Sequence, residues 1–250
     1  MNEHFLRLNQ TKTKILVLAP PSVQKEIVIR GVFLEGACIR FVDSAKNLGV
    51  ILDEVLSFET QVNSVIKSSF ANLKKLHQIK GYMSENKRKQ LACSYALAQL
   101  DYCNSLYFGI NKSLFNKLQR VQNCAARLVC KQRIPSGGLQ TKFLDLHWLQ
   151  VKHRVCYKVL LIIHKCLMKN APEEVMALLS YGDSTRTGHL VETRCFSKYG
   201  ERAFSHYGPK IWNLLPKDMR LELNTNDFKK KLKTYLFVSG EDLSQRLDCQ

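Results

Sequence analysis

The chain has 250 residues, of which 45% are hydrophobic, and its 38 Lys and Arg against 21 Asp and Glu give a formal net charge of +17. The apolar content excludes a disordered tail, and the length suffices for one large or two small domains with a real core. The longest clean apolar runs, such as residues 159–163, are far too short to span a bilayer, and the first ten residues lack the order of a cleavable export signal. The sequence therefore predicts an intracellular protein of the nucleus or cytoplasm, neither secreted nor membrane-spanning.

The positive charge is concentrated in the middle of the chain. Residues 1–60 hold 7 basic and 7 acidic residues, residues 61–180 hold 19 and 5, and residues 181–250 hold 12 and 9. A phosphate polymer is the usual partner of such a surface, because bound Lys and Arg release its counterions. An anionic membrane and a merely solvated basic surface are the alternatives.

The nine cysteines form no C-x-x-C pair, and most lie in apolar, helix-like sequence. They are therefore predicted to be reduced thiols packed as small hydrophobes. His153, Cys156, His164 and Cys166 suggest a zinc site at first sight. His153 and His164 are about 16 Å apart along a helix, however, and one zinc ion needs all its ligands within about 2.3 Å. No metal site is expected here.

The first 57 residues are predicted to form short strands. The strand-like stretches are 14–18, 26–34, 37–42 and 48–52. In the last of these, Leu48, Val50 and Leu52 alternate with other residues, which predicts one buried face, and Gly49 predicts a bulge or the close approach of another backbone. Such a small antiparallel sheet leaves one face open, so we expect it to be the edge of a larger sheet.

From Phe58 onward the pattern becomes helical, and Ser84 is predicted to cap one of the helices. The clearest helix is predicted over residues 113–131, where Leu114, Leu118, Val121, Ala125 and Leu128 step by four, three, four and three residues. This spacing places apolar side chains on one face of the helix.

A row of cations lies beside that apolar face. Lys117, Arg120, Arg127 and Lys131 fall within an arc of about 80° on a helical wheel. Four like charges on one stripe repel each other unless an anion neutralises them. The stripe is therefore predicted to contact phosphates, with a solvated helix face as the alternative.

Seven segments, ordered from Asn9 to Phe237, resemble the C-terminal part of reverse transcriptases of LINE-type, non-LTR retrotransposons. They are LNQTKT (8–13), KNLGVILD with LSF (46–58), LDYCNSL (100–106), LQRVQNCAARL (118–128), LHWLQVKHR (146–154), GPKIWNLLP (208–216) and FKKKLKTYLF (228–237). The fifth segment departs from the family pattern at Gln150, where a proline is usual. Trp212, inside the sixth segment, is predicted to anchor a core, with base stacking as the alternative.

The resemblance implies a fold and a division into domains. We expect an α+β, mostly α protein, with a small antiparallel sheet left from a polymerase palm followed by a basic, thumb-like helical bundle and a C-terminal helical extension. The implied boundaries are 1–57 for the end of the palm, 58–181 for the thumb-like domain and 182–250 for the extension, with a linker at Gly182 and Asp183.

The resemblance also implies a role for particular residues. Leu48, Gly49 and Val50 correspond to the primer grip, and Lys12 corresponds to a lysine near the phosphates of the incoming nucleotide. Together with Lys117, Arg120, Arg127 and Lys131, they are the residues expected to bind an RNA or DNA template–primer.

The family's catalytic aspartates, which bind Mg²⁺, lie just upstream of the segment that contains Lys12, so Met1 stands almost where that turn should end. We therefore expect no cofactor and no polymerase activity in this chain alone. The expected function is a template–primer binding module, with the missing N-terminal polymerase region as a further partner, or a non-functional relic. The alternative is a domesticated basic helical protein that binds an anionic membrane or another protein.

Overall fold

The computed structural model describes residues 9, 11–34, 36–131, 138–180, 187–195, 197 and 200–248. The chain divides into two compact units, residues 1–67 and 68–250. It is 60% helical, and the described residues contain two antiparallel sheets of two strands each. The predicted α+β, mostly α class is confirmed.

The first unit contains two β-hairpins. Strand β1 (Gly31–Leu34) pairs with β2 (Ala37–Arg40), and β3 (Ser44–Asn47) pairs with β4 (Val50–Asp53), after the one-turn helix α1 (Pro21–Gln24). The strand predicted over 14–18 is wrong. That stretch makes only an isolated parallel bridge between Ile15 and Phe41, so a single bridge replaces a paired strand.

The predicted strand over 48–52 is wrong in its first two residues. Leu48 and Gly49 have φ values of 45° and 88° and form the two-residue turn that joins β3 to β4, in which Asn47 pairs with Val50. Positive φ at both central positions matches the twist of the flanking strands, which is why tight hairpins use it. Gly49 therefore serves a turn rather than a mid-strand bulge, and the strand starts at Val50, whose side chain is buried.

Asp53 turns the chain from β4 into the next helix. Its two carboxylate oxygens accept hydrogen bonds from the main-chain N–H groups of Ser57 and Phe58, each at 2.7 Å. Helix α2 (Glu59–Ile79) begins directly afterwards, and Gln61 in its first turn accepts a 2.9 Å hydrogen bond from the N–H of Ile51. The hairpin β3–β4 and the start of α2 are thus tied together by side chains.

Several large apolar side chains of the first unit are exposed, as expected for so small a sheet. The exposed fraction is 89% at Val28, 78% at Phe33 and 85% at Leu48. Strand β1 buries none of its side chains completely. An exposed apolar surface of this kind promotes association with the strands of another chain.

The second unit is helical, and the end of α2 belongs to it. Ser84 caps α3, as predicted, by accepting a hydrogen bond from the N–H of Lys87. The described helices are α3 (Glu85–Ala92), a π-helical turn (Cys93–Leu97), α4 (Ala98–Asp101), α5 (Lys112–Cys130), α6 (Leu139–Asp145), α7 (Val151–Leu167), α8 (Glu173–Met176), α9 (Phe204–Asn213), α10 (Lys217–Arg220) and α11 (Thr225–Asp248).

One core of this unit is built by α7, α9 and α11. Val159 and Ile163 of α7, Trp212 of α9, and Phe228 and Leu232 of α11 are all fully buried in it. The indole N–H of Trp212 donates a 2.8 Å hydrogen bond to the carbonyl of Gly188, so the predicted core role is confirmed and the ring offers no face for base stacking.

The predicted boundary at 181/182 and the predicted linker at Gly182 and Asp183 lie outside the described residues. Residues on both sides of that position contribute to the core of α7, α9 and α11. The three-domain division stays a prediction. Within the described residues, the chain has no helix long and apolar enough to cross a membrane.

Candidate nucleic-acid interface

Helix α5 carries most of the predicted basic stripe. It starts where the Asn111 carboxamide accepts a 2.9 Å hydrogen bond from the N–H of Ser113, and it buries the apolar face predicted from the sequence. It ends at Cys130, because Lys131 takes a left-handed conformation with φ of 54°. The prediction that the helix includes Lys131 is therefore wrong by one residue, and Lys131 does not occupy its expected place on the wheel.

The cations of α5 differ in exposure. Arg120 and Lys131 are exposed, whereas Lys117 and Arg127 are half-buried. No ion pair joins Arg120, Arg127 or Lys131 to another residue that the structure describes. Lys117 and Arg127 are ten residues apart, about 15 Å along the axis, which is close to the rise of four nucleotide steps in a duplex.

A groove brings the end of this stripe together with a second set of cations. The groove has a volume of about 650 Å³ and runs between the last turns of α2 and of α5. We call it the basic groove; its lining residues are Phe70, Leu73, Lys74, His77, Gln78, Lys80, Cys124, Arg127, Leu128 and Lys131. Four of these side chains are Lys or Arg, a fifth is His77, and no acid is among them.

The floor of the basic groove is apolar. Leu73 and Leu128 are buried, while the ring of Phe70 is 38% exposed. At the rim, the Lys80 ammonium lies 3.1 Å from Nε2 of His77; the ammonium can only donate, so this ring nitrogen accepts. An apolar strip edged by cations suits a nucleic-acid strand, whose sugars and bases are apolar and whose phosphates are anionic.

The structure splits the predicted stripe. Arg127 and Lys131 line the basic groove, whereas Lys117 and Arg120 lie earlier on α5 and do not line it. Lys74, His77 and Lys80 were not predicted from the sequence. Their spacing of three residues marks one helix face, but nothing in the sequence says that this face lies beside α5.

Two sets of polar contacts hold the walls of the basic groove in place. Asn72 of α2 donates a 2.9 Å hydrogen bond to the carbonyl of Tyr95, and the hydroxyl of Ser69 lies 3.4 Å from the carbonyl of Ala96. Both carbonyls belong to the π-helical turn, where the i→i−4 ladder is interrupted. This turn thus presents acceptors to α2.

The end of α5 is held by Arg88 of α3. Its guanidinium is 4% exposed and donates a 2.9 Å hydrogen bond from Nε to the carbonyl of Val129. A cation at the C-terminus of a helix also interacts favourably with the helix dipole. Arg88 therefore fixes the turn that carries Arg127 and precedes Lys131.

The remaining predicted site residues belong to the first unit. Lys12 is exposed and lies in a turn whose N–H groups at Lys12 and Thr13 donate to the carbonyl of Asn9 at 3.1 and 3.0 Å. Leu48 and Gly49 form the tip of the β3–β4 hairpin, and Val50 is the buried first residue of β4. These residues lie on separate elements of that unit.

No cluster of three or more His, Cys, Asp or Glu side chains that would hold a metal ion occurs in the described part of the chain. The two-metal chemistry of polymerases needs clustered carboxylates, and Asp53 already uses both of its oxygens for main-chain N–H groups. The described residues therefore offer no carboxylate cluster of the kind that holds two Mg²⁺ ions.

Three of the described thiols lack the mark of an activated nucleophile. Burial raises the pKa of Cys93, Cys130 and Cys166 above the ordinary thiol value. Activated cysteines show the opposite shift, because a neighbouring cation stabilises the thiolate. Cys103, in the LDYCNSL segment, is exposed and adopts a left-handed conformation with φ of 51°.

Neither a family model, nor a curated protein, nor a solved structure matches this chain.

Proposed function

We propose that this chain is the C-terminal part of a LINE-type reverse transcriptase and that its helical unit binds template–primer nucleic acid through the basic groove and the adjoining stripe of α5. The observation that carries the proposal is the convergence of Lys74, His77 and Lys80 with Arg127 and Lys131 on one groove. A groove with this charge and with an apolar floor favours a phosphate polymer over a small acid.

The family resemblance supports the same surface from a different direction. Arg127 lies in the LQRVQNCAARL segment, and Lys131 follows three residues after it. The segment that corresponds to the primer grip has its two least strand-like residues, Leu48 and Gly49, at an exposed hairpin tip. Residues at a tip are accessible to a nucleic-acid strand.

We further propose that the chain alone does not polymerise DNA. Asp53 and Glu54 are the only adjacent carboxylates in the KNLGVILDE stretch, and Asp53 stabilises the turn before α2. Extension of a primed RNA template by the purified protein with Mg²⁺ would refute this part of the proposal.

The binding part is tested by fluorescence anisotropy with labelled RNA–DNA hybrid, duplex DNA and single-stranded RNA of unrelated sequences. We expect affinity that tolerates changes of sequence and falls steeply with salt. Replacing Lys117, Arg120, Arg127 and Lys131 by Ala weakens binding. It also lowers the salt slope, which is the slope of the logarithm of the binding constant against the logarithm of the salt concentration, by about one unit for each phosphate that is no longer bound.

A second variant isolates the basic groove from the stripe. Lys74→Ala with Lys80→Ala removes two charges that only the structure associates with α5, and we expect the salt slope to fall by about two units. The matched control is Lys217→Ala with Lys229→Ala, which removes the same charge from α10 and α11 and leaves affinity nearly unchanged. Equal losses in both double variants would mean that only net charge matters, which contradicts a defined groove.

The competing class of partner is an anionic membrane. Co-sedimentation with vesicles that contain phosphatidylserine, at the salt concentration of the anisotropy assay, measures it directly. Binding to vesicles that exceeds binding to the hybrid, with the Lys74→Ala, Lys80→Ala variant weakened for vesicles alone, would overturn the proposal.

A further inference from the structure

A second cavity lies in the helical unit, away from the residues of the basic groove. It has a volume of about 260 Å³ and is formed by the end of α4, the loop before α7, and the facing sides of α7 and α11. Its polar lining consists of Asp101, Asn104, His147, Arg154, Tyr157, Lys158 and Lys233, and Leu149 completes it.

The most informative residue of this cavity is Asn104. Its side chain is 2% exposed, and its carbonyl oxygen Oδ1 accepts no hydrogen bond from any residue that the structure describes. The amide nitrogen lies 3.4 Å from Oδ1 of Asp101. A carboxylate can only accept, so this contact fixes the amide orientation and leaves the carbonyl oxygen without a donor. A buried acceptor of this kind costs stability, and a ligand with a hydrogen-bond donor offsets the cost.

The charges around the cavity select for an anion. Arg154 donates from Nε to Oδ1 of Asp101 at 2.7 Å and makes a second contact through its terminal nitrogen, so these two charges neutralise each other. Lys158 and Lys233 make no ion pair within the described chain and are exposed at the cavity. The lining thus has two uncompensated positive charges beside a buried neutral acceptor.

The size of the cavity limits what enters it. At about 30 Å³ for each water molecule, 260 Å³ corresponds to about nine waters. Sites for whole drug-sized ligands are usually larger, between about 300 and 1,000 Å³. One planar heterocycle fits this space, with its charged group outside at the two lysines.

We propose that this cavity, which we call the Asn104 pocket, binds a single nucleoside monophosphate unit. The base enters the pocket, the Asn104 carboxamide shifts so that its buried Oδ1 accepts a hydrogen bond from the base, and the phosphate lies between Lys158 and Lys233. The unit is either a free nucleotide or one nucleotide unstacked from a strand, because both present the same base and phosphate. The inference does not depend on the basic groove, with which the pocket shares no lining residue.

Isothermal titration calorimetry with AMP, GMP, CMP and UMP, and with inorganic phosphate at the same ionic strength, tests the proposal. We expect at least one monophosphate to bind at least tenfold more tightly than phosphate, since a base both fills the pocket and supplies a donor for Asn104 while its phosphate binds the lysines. Asn104→Leu, which keeps the branched shape but removes both the acceptor and the amide donor to Asp101, is expected to lower that affinity about tenfold.

A second variant, at the exposed lysines Lys158 and Lys233, tests the proposal even if Asn104→Leu fails to fold. Lys158→Ala with Lys233→Ala is expected to weaken the monophosphate about tenfold and to reduce its salt dependence. The control is Lys229→Ala, one turn before Lys233 on α11 and outside the pocket, which leaves the affinity unchanged.

A short oligonucleotide distinguishes the two sources of the ligand. Displacement of the monophosphate by a five-nucleotide RNA at equal nucleotide concentration shows that a strand supplies the unit, whereas failure to displace it assigns the pocket to free nucleotides. Both results support a nucleotide pocket. Equal affinity for phosphate and for every monophosphate, or wild-type affinity in the Lys158→Ala, Lys233→Ala variant, overturns it.

Discussion

Arg88 and Val129 link two helices through one buried hydrogen bond. The guanidinium Nε of Arg88, on α3, donates to the Val129 carbonyl in the last turn of α5 at 2.9 Å, and a second nitrogen donates to the carbonyl of Met83. The carbonyls at a helix end lack partners within the helix, so a buried cation there satisfies one of them and complements the dipole.

Replacing Arg88 by Met is therefore expected to lower the unfolding free energy by about 1.5–3 kcal/mol, the usual range for hydrogen bonds to a charged group. The loss leaves the Val129 carbonyl buried without its donor. Urea denaturation followed by circular dichroism measures the change. Lys87→Met, at the exposed neighbouring position, is the control, with a change below about 0.5 kcal/mol. A loss of similar size in Lys87→Met would contradict the role of Arg88.

His164 makes stability depend on pH. Burial lowers the pKa of this imidazole. The ring lies beside the rings of Trp212 and Phe228, and its Nε2 is 2.9 Å from the carbonyl of Glu222. The carboxylate of Glu222 is the charged group that acts on it. Nε2 donates to that carbonyl, so Nδ1 holds the lone pair, and Nδ1 has no hydrogen-bond partner within the described chain. Protonation would bury a donor without an acceptor.

The sign of the effect follows from proton linkage. Below the ordinary histidine pKa the unfolded chain binds a proton that the folded chain rejects, so stability falls as the pH drops from about 7 towards the lowered pKa of the folded state. One such group contributes at most about 1.4 kcal/mol for each pH unit. Urea unfolding at pH 7.5, 6.5 and 5.5 should show this loss, and His164→Gln should flatten it.

Leu48 occupies a backbone conformation that leucine adopts with difficulty. Its φ of 45° lies in the left-handed region, and its side chain is 85% exposed at the tip of the β3–β4 hairpin. Asparagine tolerates this region better, so Leu48→Asn is expected to stabilise the hairpin by about 0.5–1 kcal/mol. Hydrogen exchange at the amides of residues 44–53 measures the gain.

The same variant tests whether the strained leucine serves binding. If the hairpin tip contacts a primer strand, Leu48→Asn lowers affinity for primed template while it slows exchange. Leu48→Ala is the matched control, because it removes the side chain and keeps an ordinary L-residue with positive φ. Unchanged affinity in both variants, with a gain in stability in Leu48→Asn alone, would remove Leu48 from the proposed interface.

The two units are expected to differ in local stability. Helices α7 and α11 bury their apolar faces in a common core, whereas β1 exposes Phe33 and the stretch 14–18 makes only one bridge. Native-state hydrogen exchange should therefore protect the amides of α7 far more than those of residues 14–18 and 48–52. Strong, cooperative protection of those two stretches in the monomer would contradict this expectation and favour a self-sufficient sheet.

The sequence carried most of the information about the helices. The 3–4 spacing of apolar residues predicted α5 to within one residue at each end, because one buried face is enough to define an amphipathic helix. The Ser84 cap was also predictable, since its hydroxyl acts within three residues. Local rules suffice wherever the stabilising contact is local.

The hairpin and the groove were not predictable for opposite reasons. Leucine is rarely found in tight turns, so the glycine at position 49 alone did not predict one. The alternation of apolar residues predicted a strand through Leu48 and Gly49, where the structure has the turn. Lys74 and Lys80 join Arg127 only because α2 and α5 lie side by side, which is a tertiary contact. The sequence likewise does not predict that Oδ1 of Asn104 is buried without a hydrogen-bond donor, because that depends on the fold.

The core shared by α7, α9 and α11 sets an order of events during synthesis. Val159 and Ile163 leave the ribosome about seventy residues before Leu232 and Leu236, against which they are buried. At about 5–20 residues per second, α7 waits roughly 4–14 s before its last partner helix exists. During that interval the apolar residues of α7 are accessible to chaperones. The core of this helical unit can therefore form only after α11 has been translated.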